Sequence, residues 1–144
     1  MCDTEKEVKL SRSEAREQAF MLIFSKTFDD EPLEATLEDN AEIFEGGVCD
    51  YAQAVASGLE DKQDEIDADI AQFLKKGWTL KRISRPSLAI LRLAFYEIKY
   101  LDSIPDSVSV NEAVELAKKY TIDESGFVNG ILGAFIRSRS GEKQ

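Results

Sequence analysis

The sequence predicts an all-α fold, a compact helical bundle, on three observations. Apolar residues recur at helical spacing along most of the chain, two S-x-x-E capping boxes stand where helices should begin, and no stretch carries the two-residue alternation of a strand. With only 3 Pro and 8 Gly among 144 residues, interruptions are few. The length suits one domain. Its expected boundaries are a flexible segment over 1–10, a helical domain over 11–138 and a flexible tail over 139–144, because apolar content stops at Ile136.

Ser11-Arg12-Ser13-Glu14 is the first capping box, so a helix starts near Arg12. Ala15, Ala19, Leu22 and Ile23 continue it, and Phe20, Phe24 and Phe28 add an aromatic row at i, i+4, i+8. Asp29-Asp30-Glu31-Pro32 opens a second helix, acids first and Pro near its first turn, and Gly46-Gly47 ends it. From Tyr51 through Val55, Leu59, Ile66, Ile70 and Phe73 one stripe predicts a single long helix to Lys75, with Gly58 as a weak point. Residues 78–83 read as a short turn of helix, and Pro86 starts a segment running to about Leu101. After the break at Ile104-Pro105-Asp106, the second box, Ser109-Val110-Asn111-Glu112, predicts a helix ending near Tyr120. Phe127/Val128, Ile131/Leu132 and Phe135/Ile136 step by four and define the last helix.

The net charge of −10 is unevenly spread. Residues 29–70 hold 15 acidic side chains against Lys62 alone, whereas residues 71–101 hold seven cations against Glu97 alone. One reading is ordinary solvated surface; the other is an acidic belt that repels phosphate and confines nucleic acid to a small cationic patch. The absence of His removes the commonest general base and transition-metal ligand. Cys2 and Cys49 form neither a framework nor a CxxC motif, and both are expected as free thiols. No apolar run is long enough for a membrane helix, and the charged N-terminus carries no export signal, so a cytoplasmic location is expected.

No motif supplies an active site. Arg92 lies in an otherwise apolar helix and demands a carboxylate, which suggests a buried structural ion pair with Glu112. Asn129 beside Gly130 suggests a side-chain hydrogen bond at a close helix contact. The runs Asp64-Glu65-Asp67-Asp69 and Asp29-Asp30-Glu31 lack the Gly and Glu of a calcium loop and read as solvated surface, with no metal site. No glycine-rich phosphate loop or nucleophile elbow occurs. Lys9, Arg12 and Arg16 mark the first helix start, but Glu14 and Glu17 interleave with them, so on their own they read as surface charge.

Arg16-Glu17 in a first helix is followed by the blocks Ile-Leu-Arg-Leu-Ala-Phe-Tyr-Glu from Ile90, Val-Asn-Glu-Ala-Val-Glu-Leu-Ala-Lys from Val110 and Phe-Val-Asn-Gly-Ile-Leu from Phe127. In this order they resemble the NusB family of bacterial transcription antitermination factors, loosely over 28–72 and closely over 83–132. The resemblance implies about seven helices in two subdomains, no catalysis and no cofactor. It also implies binding of the boxA element of nascent ribosomal RNA together with NusE, a small-subunit ribosomal protein. Other antitermination factors and RNA polymerase would be indirect partners. Carried over by position, the family's arginine-rich motif falls on Arg12 to Arg16 with Lys9 beside it, and an aromatic near the RNA falls on Phe24. The partner contact falls near Asp123 and Glu124.

Departures qualify these expectations. Ser13 and Glu14 stand where some members have arginines, so RNA affinity should depend more on the partner protein. A family acid appears here as Ser87, and the loop before Phe127 is one residue short. Phe24 is either a base-stacking ring or core beside Phe20 and Phe28. Two alternatives remain open: a module acting only in protein–protein interaction, and the RNA-binding front domain of a ribosomal RNA cytosine methyltransferase, whose further catalytic domain is not expected in a chain ending at Gln144.

Overall fold

The computed structural model describes residues 11–28 and 47–142. Among them are five α-helices, one short 3-10 turn and no strand: α1 (Arg12–Lys26), α2 (Asp50–Ala71), the turn Leu80–Arg82, α3 (Arg85–Tyr100), α4 (Asp106–Tyr120) and α5 (Ser125–Glu142). The expected second helix lies outside the described residues apart from Gly47, whose φ of +83° suits a stop glycine. The chain divides into two compact units between Lys62 and Gln63.

In the first unit the capping box forms as its sequence dictates. The Glu14 N–H donates to Ser11 Oγ at 3.0 Å and the Ser11 N–H donates to Glu14 Oε1 at 2.8 Å. Ala15, Ala19, Phe20, Leu22 and Ile23 are buried along α1, as are Ala52, Val55, Ala56 and Leu59 along α2. Gln18, also buried, fixes the α2 start: its Oε1 accepts from the Cys49 N–H at 2.8 Å, satisfying a donor that the helix leaves unpaired. At the other end, Lys26 Nζ bonds Glu60 at 2.6 Å. Cys49 is disulfide-bonded, contrary to the free thiol expected, because sequence spacing alone does not say which sulfurs meet.

In the second unit α3 is the central element, packing against both α4 and α5, which also pack on each other. Ile90, Leu91, Leu93, Phe95 and Leu132 are almost wholly buried. Phe95 stacks on Phe135 at 4.1 Å, and Phe73 meets both rings edge-on or tilted at 6.3 and 5.9 Å. Three boundaries differ from expectation. α2 stops at Ala71, after which 72–74 continue only through i→i+3 bonds, a tightened last turn that keeps the apolar stripe going. α4 starts three residues before Ser109, because Pro105, at φ −60°, occupies the cap position, so the second capping box does not form. α5 runs past the expected boundary at 138 to Glu142, since extending a formed helix costs little and the Arg139 guanidinium sits 5.6 Å over Phe135.

Candidate nucleic-acid and partner surfaces

The first unit carries the predicted RNA-facing residues. Arg12 is exposed at the front of α1, whereas Arg16, one turn on, is only 5% exposed and is engaged within the protein. A guanidinium so enclosed serves packing before it serves phosphate. Phe24 is half-buried between two rings, stacked on Phe20 at 5.7 Å and edge-on to Phe28 at 5.0 Å, with Phe28 59% exposed at the end of the row. Lys9 lies outside the described residues.

In the second unit, Arg92 does not pair with Glu112. Its Nε and Nη2 donate to Asp67 Oδ1 and Oδ2 at 2.8 and 2.9 Å, a bidentate fork, and the Arg92 side chain keeps 11% of its exposure. The Asp67 run is therefore more than solvated surface. Lys99 Nζ bonds Glu65 and Asp69 at 2.6 Å each, and the Tyr100 hydroxyl also bonds Glu65. Burial works against the Lys99 charge, but its hydrogen bonds to Asp69 and Glu65 and the attraction of Asp69 prevail and raise its pKa above the usual value. The bond to Glu65 raises that of Tyr100, with a smaller contribution from desolvation.

Ser109 is 1% exposed, and its hydroxyl donates to the carboxylate of Glu97, itself wholly buried, at 2.8 Å. Glu97 sits inside an apolar helix and could have been flagged by that alone. Asn129 and Gly130 are both exposed, and a Cβ at Gly130 would meet nothing within 4 Å, so the expected close helix contact is absent there.

The loop before α5 separates two residues that were expected to act together. The Glu124 carboxylate accepts from the hydroxyls of Ser84 and Ser87 at 2.6 and 2.5 Å, which ties the start of α5 to that of α3. Ser84 Oγ also caps α3 by accepting from the Ser87 N–H at 3.3 Å. Asp123, exposed at φ +58°, and Ile122, 87% exposed, remain on the surface.

Sequence reasoning passed over Trp78. The Trp78 N–H bonds Lys75 O at 2.9 Å across Gly77, whose φ is +88°, and the Arg82 N–H bonds Thr79 O at 2.9 Å in the next turn. These two turns hold the indole 42% exposed, with the Arg82 guanidinium 5.7 Å from its centre and Phe127 tilted at 6.4 Å. Lys75, Lys76, Lys81 and Arg82 are exposed and form no ion pair among the described residues. The sequence signal was available: one Trp within an acid-free run from Ala71 to Tyr96.

Comparison with known proteins completes the picture. The NusB family profile matches residues 13–137. The chain belongs to the NusB family. It is 40% identical over 129 residues to the transcription antitermination protein NusB of Lacticaseibacillus paracasei, covering 89% of this chain and 96% of that one. It superposes on NusB of T. maritima with a TM-score of 0.80 at 35% identity, over 90% of this chain and 93% of the other. A chain in the crystal structure of the antitermination factors NusB and NusE in complex with dsRNA matches with a TM-score of 0.78 at 25% identity, over 88% and 96%. Among the described residues, no helix is long and apolar enough to cross a membrane, and no group of three potential ligands gathers to hold a metal.

Proposed function

We propose that this NusB family member is a non-catalytic, cytoplasmic transcription antitermination adaptor, all-α in fold, that binds boxA-type RNA of ribosomal RNA transcripts together with NusE. The observation that carries the reading is the end-to-end likeness to NusB proteins, one of them in a complex with NusE and dsRNA. The 40% identity to a curated NusB transcription antitermination protein favours the adaptor reading. Other antitermination factors and RNA polymerase would be reached through the assembled complex.

The enclosure of Arg16 and the net charge of −10 support a division of labour in which NusE supplies much of the RNA affinity. Of the arginine motif, Arg12 is the residue open to phosphate, with Lys9 a candidate beside it. The partner contact is assigned to Asp123, because Glu124 is held by two serines. Binding of boxA RNA should be measured with the protein alone and with NusE, and NusE binding without RNA. A complex with NusE at micromolar concentration and tighter RNA binding in its presence are expected. Arg12→Ala should flatten the slope of log K against log salt by about 0.7. Failure to bind NusE would remove the adaptor reading. Binding of NusE with no RNA contact at any salt would favour the module that acts only through protein.

A further inference from the structure

We infer that the turn around Trp78 is a second RNA contact, in which an unpaired base stacks on the indole while Lys75, Lys76, Lys81 and Arg82 hold the flanking phosphates. The proposal rests on the RNA-binding reading above and assigns to it a surface that neither the arginine motif nor the partner loop contains.

Four observations converge on it. The indole is 42% exposed, and two consecutive hydrogen-bonded turns, one made possible by Gly77 at positive φ, fix the backbone that presents its free face. The segment itself carries charge of one sign: no acid occurs along the sequence from Ala71 to Tyr96 in a chain of net charge −10, and the Glu124 carboxylate that reaches Ser84 and Ser87 is held there by their two hydroxyls. The four cations around Trp78 are not consumed by ion pairs among the described residues. Beside Phe127, which touches Trp78, Gly126 and Gly130 lie i, i+4 on α5 with open space where a Cβ would be, and a sugar or phosphate can approach the helix backbone there. Aromatic ring plus flanking cations is the arrangement that binds single strands, whose bases offer a free face; a duplex keeps its bases stacked on one another.

Trp78 is the only tryptophan, so its fluorescence reads the site directly. The full-length protein, with and without NusE, should be titrated with a labelled single-stranded boxA oligonucleotide, following anisotropy and indole emission together. Quenching should track binding, and the same strand annealed to its complement should not quench. Trp78→Ala should weaken binding roughly 5- to 150-fold with the salt slope unchanged, and Trp78→Phe should recover most of that loss. Lys75→Gln with Lys76→Gln should flatten the slope by about 1.4, and being exposed these residues leave folding intact. Tight RNA binding with unchanged emission and a silent Trp78→Ala variant would overturn the inference and leave the RNA-binding function standing. Equal quenching by the duplex would overturn it too, as would loss of NusE binding in Trp78→Ala with RNA binding intact. No RNA binding by the parent under either condition would remove the function itself.

Discussion

Arg92 and Asp67 meet through two parallel hydrogen bonds, and that fork makes their coupling specific. With 11% and 25% of their side chains exposed, the pair lies between a surface bridge and a buried one. Arg92→Ala should therefore cost about 2 kcal/mol, less than the roughly 3–5 of a fully buried pair. A double-mutant cycle in urea locates the partner: Arg92→Ala should couple to Asp67→Ala and be additive with Glu112→Ala. A coupling to Glu112 instead would contradict the observed fork. The need for a carboxylate was legible from Arg92 alone; its identity was not, because Asp67 lies 25 positions upstream and reads locally as one more surface acid. Gly130 gives the opposite case. In open helical space a Cβ costs nothing, so Gly130→Ala should stabilise by about 0.8–1 kcal/mol, read from the unfolding midpoint.

The two S-x-x-E sequences separate what a motif says from what an element does. At α1 the box forms, and Ser11→Ala should cost about 1 kcal/mol through a lost cap. At α4 the equivalent serine is the fourth residue of the helix, and Ser109→Ala acts instead by removing a hydrogen bond from the buried Glu97 carboxylate. That loss should be about 1–3 kcal/mol and should be relieved in part by a threonine, with thermal melts of all three variants as the check. Helix number and order over the described residues were readable from period and Pro placement. The start of α4 was not, because Pro105 sets its own φ and offers the first turn without any side-chain cap. The end of α2 escaped for a related reason: a 3-10 continuation preserves the apolar stripe that periodicity detects.

At the scale of the whole molecule, segregated charge sets the response to solution conditions. Lys99 and Tyr100 both have raised pKa values in the folded state. A raised value contributes stability that is complete below the unfolded-state value, 10.5 for lysine, and is lost as pH rises through the folded one. The urea midpoint should therefore hold steady from neutral pH and decline on the alkaline side, and Lys99→Met should lower the plateau while flattening that decline. A midpoint that fell equally steeply in the variant would separate the alkaline limb from Lys99. Family and fold class were legible from three short blocks. The cationic turn was not, because its meaning depends on the exposure of one ring, which sequence does not report.

The hydroxyl of Ser84 has a consequence for how the family can vary. It accepts from the Ser87 N–H and donates to Glu124 at once, so two constraints fall on a single oxygen. Aspartate or asparagine would cap the helix as well. Aspartate, however, would set a second carboxylate against Glu124, and asparagine would have to divide its amide between the two roles. Positions 84 and 124 should therefore drift together through evolution: serine or threonine where 124 is acidic, and a free choice of capping residue only in lineages where that acid has been lost. A deep alignment of relatives in which aspartate at 84 coexists freely with glutamate at 124 would show that the clamp is peculiar to this chain.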